Sequence, residues 1–399
     1  MNIVKYLLFT IAVVALIAIT GCSMLGIEDN HDTVKVGVIL PLSGEFAPCG
    51  KKVLDGIELA KDQLNDQGGV NGQKIILVVM DNASLPAKTA EAMRKLVEKH
   101  NVPVVIGAYS TTCTLALKPV AMKYKVPVIA PMATNNVITE RNQYMFRSCF
   151  SDSFQGKAIA CYAFANQHVT QVAVMLGIDE NSTYSRDLGR IFSETFGRIG
   201  GKVVKTEGFY TSQDSFSAQL KNIQQENVQG IFMPSYCNDG SRMIKETRSL
   251  GINCKLFGGD GWDETEIFTN SGLEPGDCFF ASMFSTEYKK SYVEKFIEDI
   301  SRKTSQIPGM CEAQGFDTMG LVADAMKLGI QPEDIVRGFF RVKNYPGVTG
   351  NISINAQRNA SKDIFIKKIE KQDNGLFGSK LVKILTPEQI NRIENELSH

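Results

Sequence analysis

The side chains able to do chemistry are scattered rather than clustered in this sequence. Its four histidines stand alone at 31, 100, 168 and 399, and none of its nine cysteines forms a Cys-x-x-Cys pair. A zinc site needs three or four such ligands to converge, so no metal and no cofactor is expected. Polar clusters instead close short apolar runs. Gly107-Ala108-Tyr109-Ser110-Thr111-Thr112-Cys113-Thr114 leads into a helical pattern. Ser110 and Thr111 can cap that helix. They can equally bind an anion through hydroxyls, free N–H groups and the helix dipole. Pro131-Met132-Ala133-Thr134 closes a second run and brings another hydroxyl. Further along, Gly258-Gly259-Asp260-Gly261-Trp262 places an acid at a chain turn. Asp260 can cap the residues that follow or meet a cation. Tyr184 and Tyr236 follow two other apolar runs and offer flat faces with a hydroxyl handle, for rim packing or for covering a ligand. Hydroxyls on one side and an acid with aromatics on the other suit a zwitterion, because a buried charge without a partner is costly.

The elements that must position these residues alternate. Val34–Leu40 reads as a strand, and Val53, Ile57, Ala60 and Leu64 then recur at helical spacing. Lys74–Met80, Val102–Gly107 and Val126–Ala130 read as strands, separated by helices over 87–100 and 115–124. The pattern restarts with a helix over 154–167 and strands at 171–177, 202–209, 230–234, 254–258 and 279–284. Helices are expected between these strands, at 288–303, 313–328 and 333–341, and after Thr386, where a capping box stands. Strands are also expected at 350–355 and 364–369. Repeated β-α units imply a parallel sheet with helices on both faces. Two such units imply an α/β protein with two doubly wound, Rossmann-like lobes and a cleft between them. Ligands of such sheets lie beyond the carboxyl ends of the strands, where the polar clusters fall.

The first residues follow different rules. Lys5, the apolar run Leu7–Ile19 and the small-residue ending Thr20-Gly21-Cys22 have the shape of a secretory signal. That run is short for a membrane span, which needs roughly 20 residues. The ending resembles a bacterial lipobox, which implies that residues 1–21 are removed and Cys22 is lipidated, with 22–33 as a polar tether. Lys plus Arg and Asp plus Glu balance at 43 each, without long runs, which argues against a nucleic-acid surface. No Gly-x-Gly-x-x-Gly after a strand, P-loop or Gly-x-Ser-x-Gly elbow is present, so an enzyme is not expected.

Several stretches carry a resemblance. Val36-Gly37-Val38-Ile39-Leu40-Pro41-Leu42-Ser43-Gly44, Gly68-Gly69-Val70-Asn71-Gly72 with Asp81, Pro127–Thr134, and Phe146-Arg147 followed by Ser153-Phe154-Gln155-Gly156 are individually weak but ordered along the chain. In that order the chain resembles type I periplasmic binding proteins of the branched-chain amino acid group. The resemblance implies a three-segment hinge, with crossovers near 148–152, 282–286 and 355–363. One lobe would comprise 34–150 with 285–355, the other 151–284 with 356–385, and 386–399 would form a terminal helix. It implies a carboxylate site at Ser110, Thr111 and Thr134 with the main chain near Met132 and Ala133. It places an aromatic lid at Tyr184 and Tyr236 and the ammonium partner at Asp260. The family's aromatic in the loop after the first strand falls at Cys49, a departure that puts a leucine-type ligand in doubt. The disulfide of some relatives would need cysteines near Ser84 and Ser110. The implied partners are an amino acid or related molecule, an ABC permease with its ATPase, and, through the lipid, a membrane. The implied protein is an exported monomer, and the alternatives are a ligand sensor serving a membrane receptor or a binder of a non-amino-acid amide or carboxylate.

Overall fold

The structure is a computed structural model that describes residues 32–397 except 265, 266, 268–275 and 374. The signal segment and Cys22 lie outside the described residues. Among those described, no helix is long and apolar enough to cross a membrane.

The first sheet is wholly parallel and contains β1 (Thr33–Leu40), β2 (Lys74–Asp81), β3 (Val105–Gly107), β4 (Val128–Ala130) and β5 (Met145–Arg147), in the spatial order 2-1-3-4-5. Its connections are α1 (Ala47–Asp66), α2 (Pro86–Glu98) and α3 (Thr111–Tyr124). The chain then enters α4 (Asp152–Cys161), which runs on into a π-helical turn, Tyr162–Asn166. Next come β6 (Gln171–Gly177), α5 (Thr183–Arg198), β7 (Lys202–Phe209), α6 (Ser217–Gln224), β8 (Gly230–Phe232), α7 (Cys237–Ser249), β9 (Lys255–Gly258) and β10 (Cys278–Ser282). Three helices follow, α8 (Ser291–Thr304), α9 (Met310–Met326) and α10 (Pro332–Arg341), then a small antiparallel sheet of β11 (Tyr345–Gly347), β12 (Gly350–Ile354) and β13 (Ala360–Ser361). Finally β14 (Ile364–Lys371) and β15 (Phe377–Leu385) complete the second sheet, in the order 15-14-10-9-8-6-7, and α11 (Pro387–Leu397) packs on α4. The β6–β10 strands are parallel, whereas β14 and β15 join antiparallel at one edge.

The α/β reading with two doubly wound sheets therefore holds. The strands missing from the sequence reading are short or one-sided. Met145–Arg147 has three residues, too few for a period to show. Phe377–Leu385 pairs only with β14 and is mostly half-buried, so its lysines mask the pattern. The first helix begins at Ala47, six residues before the apolar repeat starts, because its opening turn is built of Ala, Pro, Cys and Gly.

Helices α8, α9 and α10 follow β10 in sequence, yet α8 and α9 pack against α1. The α1–α9 contact is close because glycine faces backbone on both sides. A Cβ on Gly56 would stand 1.9 Å from the Glu312 carbonyl oxygen, and one on Gly315 would stand 2.0 Å from that of Val53. Neither neighbour is a flexible side chain, so a methyl there must separate the helices. Alanine offers about 1 kcal/mol of helix propensity over glycine, while overpacking costs about 1–3 kcal/mol. Gly56→Ala and Gly315→Ala are each expected to lower the thermal unfolding midpoint, by up to about 4 °C. The double variant should cost less than the sum, since one displacement relieves both clashes; unchanged midpoints in calorimetry would contradict this packing account.

Candidate functional site

The strand order places the polar clusters. In the first sheet the order reverses between β1 and β3, and in the second between β6 and β8. Crevices open at such points. Ser110 and Thr111 follow β3, Thr134 follows β4, Tyr184 follows β6, Tyr236 follows β8 and Asp260 follows β9. Thr111, Met132, Ala133, Thr134, Tyr184, Tyr236 and Asp260 line one small cavity of about 20 Å³, together with Tyr109, Gly261 and Met310. Ser110 lies on an adjoining cleft of about 220 Å³ that Ser84, Tyr184 and Tyr236 also line.

Ser110 is the N-cap of α3, its Oγ accepting the Cys113 N–H at 3.4 Å. Thr111 opens the helix, so the N–H end of α3 stands at the cavity, where the Thr111 N–H meets the Tyr236 hydroxyl. Beside it, the loop 133–136 is held from behind by Arg147. This fully buried guanidinium donates to the carbonyl oxygens of Ala133 (3.3 Å), Asn135 (2.6 Å) and Thr134. With its carbonyls engaged, that loop keeps a fixed shape.

On the other wall, Asp260 is 5% exposed. Its Oδ1 accepts hydrogen bonds from the Tyr184 hydroxyl at 2.8 Å and the Gln155 side-chain amide at 3.0 Å. Gln155 Oε1 in turn accepts the Asp260 N–H at 2.6 Å, and the Tyr184 hydroxyl accepts the Gly261 N–H at 3.2 Å. Burial raises the Asp260 carboxyl to about 6, although the Tyr184 and Gln155 donors oppose the rise. Burial also drives the Tyr184 and Tyr236 hydroxyls up, and both phenols stay neutral.

The rings form a continuous row. Tyr184 stacks on Tyr236 with centroids 5.1 Å apart, Tyr236 meets Phe46 at 5.0 Å, and Phe46 meets Tyr109 at 5.3 Å. Tyr236 and Tyr184 belong to the second-sheet side, Phe46 and Tyr109 to the first, so the row crosses the cleft. Asn135 crosses too, its amide donating to Asp187 at 2.7 Å.

Cys49 requires a correction. It is placed in the first turn of α1, not in a loop, and it does not line this cavity. Helical rotation turns its side chain toward α9, where its Sγ, the Cys311 Sγ and a Glu264 carboxylate oxygen lie within 4.8 Å of one another. Phe46, one residue before the helix, supplies the aromatic face instead. The sequence reading also missed Tyr109, Gln155, Met310 and Asp152. Gln155 stands in the Ser153–Gly156 stretch already singled out, so its position was visible although its role was not. Among the described residues, Cys49, Cys113, Cys149, Cys161, Cys254 and Cys311 are free thiols.

Comparison with known proteins follows the geometry. The model of a family described as periplasmic binding protein matches residues 33–374. The chain is 27% identical over 253 residues to the Leu/Ile/Val-binding protein BraC3 of Rhizobium johnstonii, covering 63% of this chain and 68% of that one. The solved leucine binding protein LivK of Thermotoga maritima superposes with a TM-score of 0.82 at 28% identity, over 89% of this chain and 99% of that one. The branched-chain amino acid transporter substrate binding protein LivJ of Streptococcus pneumoniae, solved with isoleucine, gives 0.79 at 29% identity, over 88% and 99%.

Asp152 generates a pH prediction. It is fully buried at the start of α4, and burial, opposed by the Thr134 hydroxyl and assisted by the Asp260 charge, pushes its carboxyl up to about 8. The folded protein then holds a proton that the unfolded chain releases, from the ordinary carboxylate range up to about pH 8. Stability contributed by this group falls as pH rises through that window. Asp152→Asn cannot ionise, so it should raise the unfolding midpoint by several degrees at ~pH 8.5 and barely change it at ~pH 4. Equal effects at both pH values, measured by thermal denaturation, would show that the carboxyl is not protonated in the fold.

Proposed function

This chain belongs to the periplasmic binding protein family, and we propose that it is the solute-capturing component of an ABC importer, closing on an amino acid between its two lobes. The observation that carries the reading is the split chemistry of one cavity. Thr111, Thr134 and the N–H end of α3 stand on the first wall, and Asp260 stands on the second. The first wall suits a carboxylate, because helix N–H groups and hydroxyls are donors aimed at an anion. The second suits an ammonium group. Tyr184 and Gln155 both engage Oδ1 of Asp260, which leaves Oδ2 for the ligand. Tyr184 and Tyr236 would cover it, and Met132 and Ala133 would contribute main chain and apolar wall.

Closure follows from the connections. The chain passes between the two sheets after β5, after β10 and between β13 and β14. These three links would act as the hinge between lobe 1 (34–150 with 285–355) and lobe 2 (151–284 with 356–385). The protein would bind rather than convert its ligand, and it would be exported and held at the bacterial membrane by lipid on Cys22. The relatives named above bind leucine, isoleucine or valine by their names, and that support extends here to the amino-acid class. The permease and ATPase would be separate chains.

The decisive measurement is a thermal-shift screen of the ligand-stripped protein against the amino acids and against small amides, polyols and carboxylates. A ligand at 100 times its dissociation constant stabilises by about 2.7 kcal/mol. A shift confined to one amino-acid class supports the reading. Shifts only with uncharged or purely anionic compounds would overturn the zwitterion assignment. For a responding amino acid, Asp260→Ala should weaken binding by about 2–5 kcal/mol, as losing one member of a buried charge pair does. Thr134→Val should cost about 1 kcal/mol, the scale of one hydrogen bond. Wild-type affinity should fall as pH drops below about 6, where the free Asp260 carboxyl takes up a proton. Isothermal titration across pH gives all three; a flat pH response with unimpaired Asp260→Ala would place the ammonium elsewhere.

A further inference from the structure

A second cluster of reactive side chains adjoins the Asp260 cavity at Tyr109 and Met310. Cys49 in α1 and Cys311 in α9 are both buried, and the glycine-to-backbone contacts of Gly56 and Gly315 bring their two helices together. The Glu264 side chain reaches them from the other side of the cleft, just after β9, and is also buried. The Cys311 Sγ stands 3.0 Å from Glu264 Oε1, and the three ligating atoms lie within 4.8 Å of one another. The Tyr109 hydroxyl is 3.5 Å from the same Glu264 oxygen.

We propose that Cys49, Cys311 and Glu264 form a binding site for a thiophilic divalent cation such as Zn2+, which ties the second-sheet wall of the cleft to α1 and α9. Distance supports it. Tetrahedral zinc holds sulfur at about 2.3 Å and carboxylate oxygen at about 2.0–2.2 Å, so neighbouring ligand atoms fall roughly 3.5–4 Å apart. The observed spread of up to 4.8 Å exceeds that by about 1 Å. Charge supports it independently. Two thiolates and one carboxylate carry three negative charges. A divalent cation and the Lys52 ammonium, 3.3 Å from Glu264 Oε2, offset these charges in a buried place that Glu312 also borders. Ligand softness selects the ion, since paired thiolates favour zinc-like metals over magnesium or calcium. On binding, each thiol gives its proton to solvent and each sulfur donates a lone pair to the metal, so no oxidant or reductant is required. Tyr109 or a water completes the fourth position.

The test is a titration of the purified, chelator-treated full chain with Cd2+, read by thiolate-to-metal charge-transfer absorbance, and with Zn2+ in competition with a chromogenic chelator. One ion per chain with an ultraviolet band is expected, unaffected by excess Mg2+. Cys49→Ser and Cys311→Ser should each abolish the band and weaken Zn2+ binding at least 100-fold, Glu264→Gln should weaken it at least 10-fold, and Cys161→Ser should leave it unchanged. A band that survives Cys49→Ser, equal Zn2+ affinity in Glu264→Gln, or a Cys49–Cys311 disulfide in protein purified without oxidant would overturn the site. If Cys311→Ser fails to fold, the Co2+ spectrum of the unaltered protein decides. Intense visible bands of a tetrahedral thiolate site are expected, and a weak octahedral spectrum refutes the proposal.

Discussion

Placing the Asp260 carboxyl in the interior is the constraint around which the rest of the cleft is arranged. An ionised carboxylate removed from water costs several kcal/mol unless hydrogen bonds or an opposite charge replace the solvent. Here the replacement is partial. Tyr184 and Gln155 supply two donors, yet burial still lifts the carboxyl to about 6. The group is thus supported well enough to persist and poorly enough to gain from a cation. Its supports come from the start of α4 and the start of α5, so the acid also fixes how those two helices approach β9.

The opposite wall is rigid for a different reason. Arg147 spends its guanidinium on the carbonyl oxygens of 133–135, which aligns the loop after β4 beside the N-terminus of α3. A donor-rich wall is preorganised by a buried cation, while an acid-bearing wall is preorganised by neutral donors. The aromatic row from Tyr184 to Tyr109 then spans the gap between them. Preorganisation of this kind reduces the ordering cost of binding, which is the physical basis for reading the cavity as a ligand site rather than a packing defect.

Much of this was legible locally. Alternating apolar runs and helical repeats announce βαβ units, because each element must bury one face whatever its neighbours are. Strand-end hydroxyls and the glycine-flanked acid stand out because polar residues there have no role in the sheet core. Cys49 shows the limit. Its place in sequence suggested a loop over the ligand, but helix α1 begins at Ala47, and one residue of helical advance rotates a side chain by about 100°. Phe46, not Cys49, therefore joins the aromatic row. Asp152 shows a second limit, since nothing in its neighbours signals complete burial.

By itself the sequence determined the alternation of strands and helices, the two doubly wound units and the chemical types available at the strand ends, because period and residue type are local properties. The tertiary structure alone decided which of those types share one cavity. It set Gln155 and Tyr184 on the same oxygen of Asp260, and it turned two cysteines more than 250 residues apart toward one glutamate. Such convergence depends on helix packing distances, set here by Gly56 and Gly315 against backbone, and no spacing along the chain encodes a distance between elements that meet only after folding.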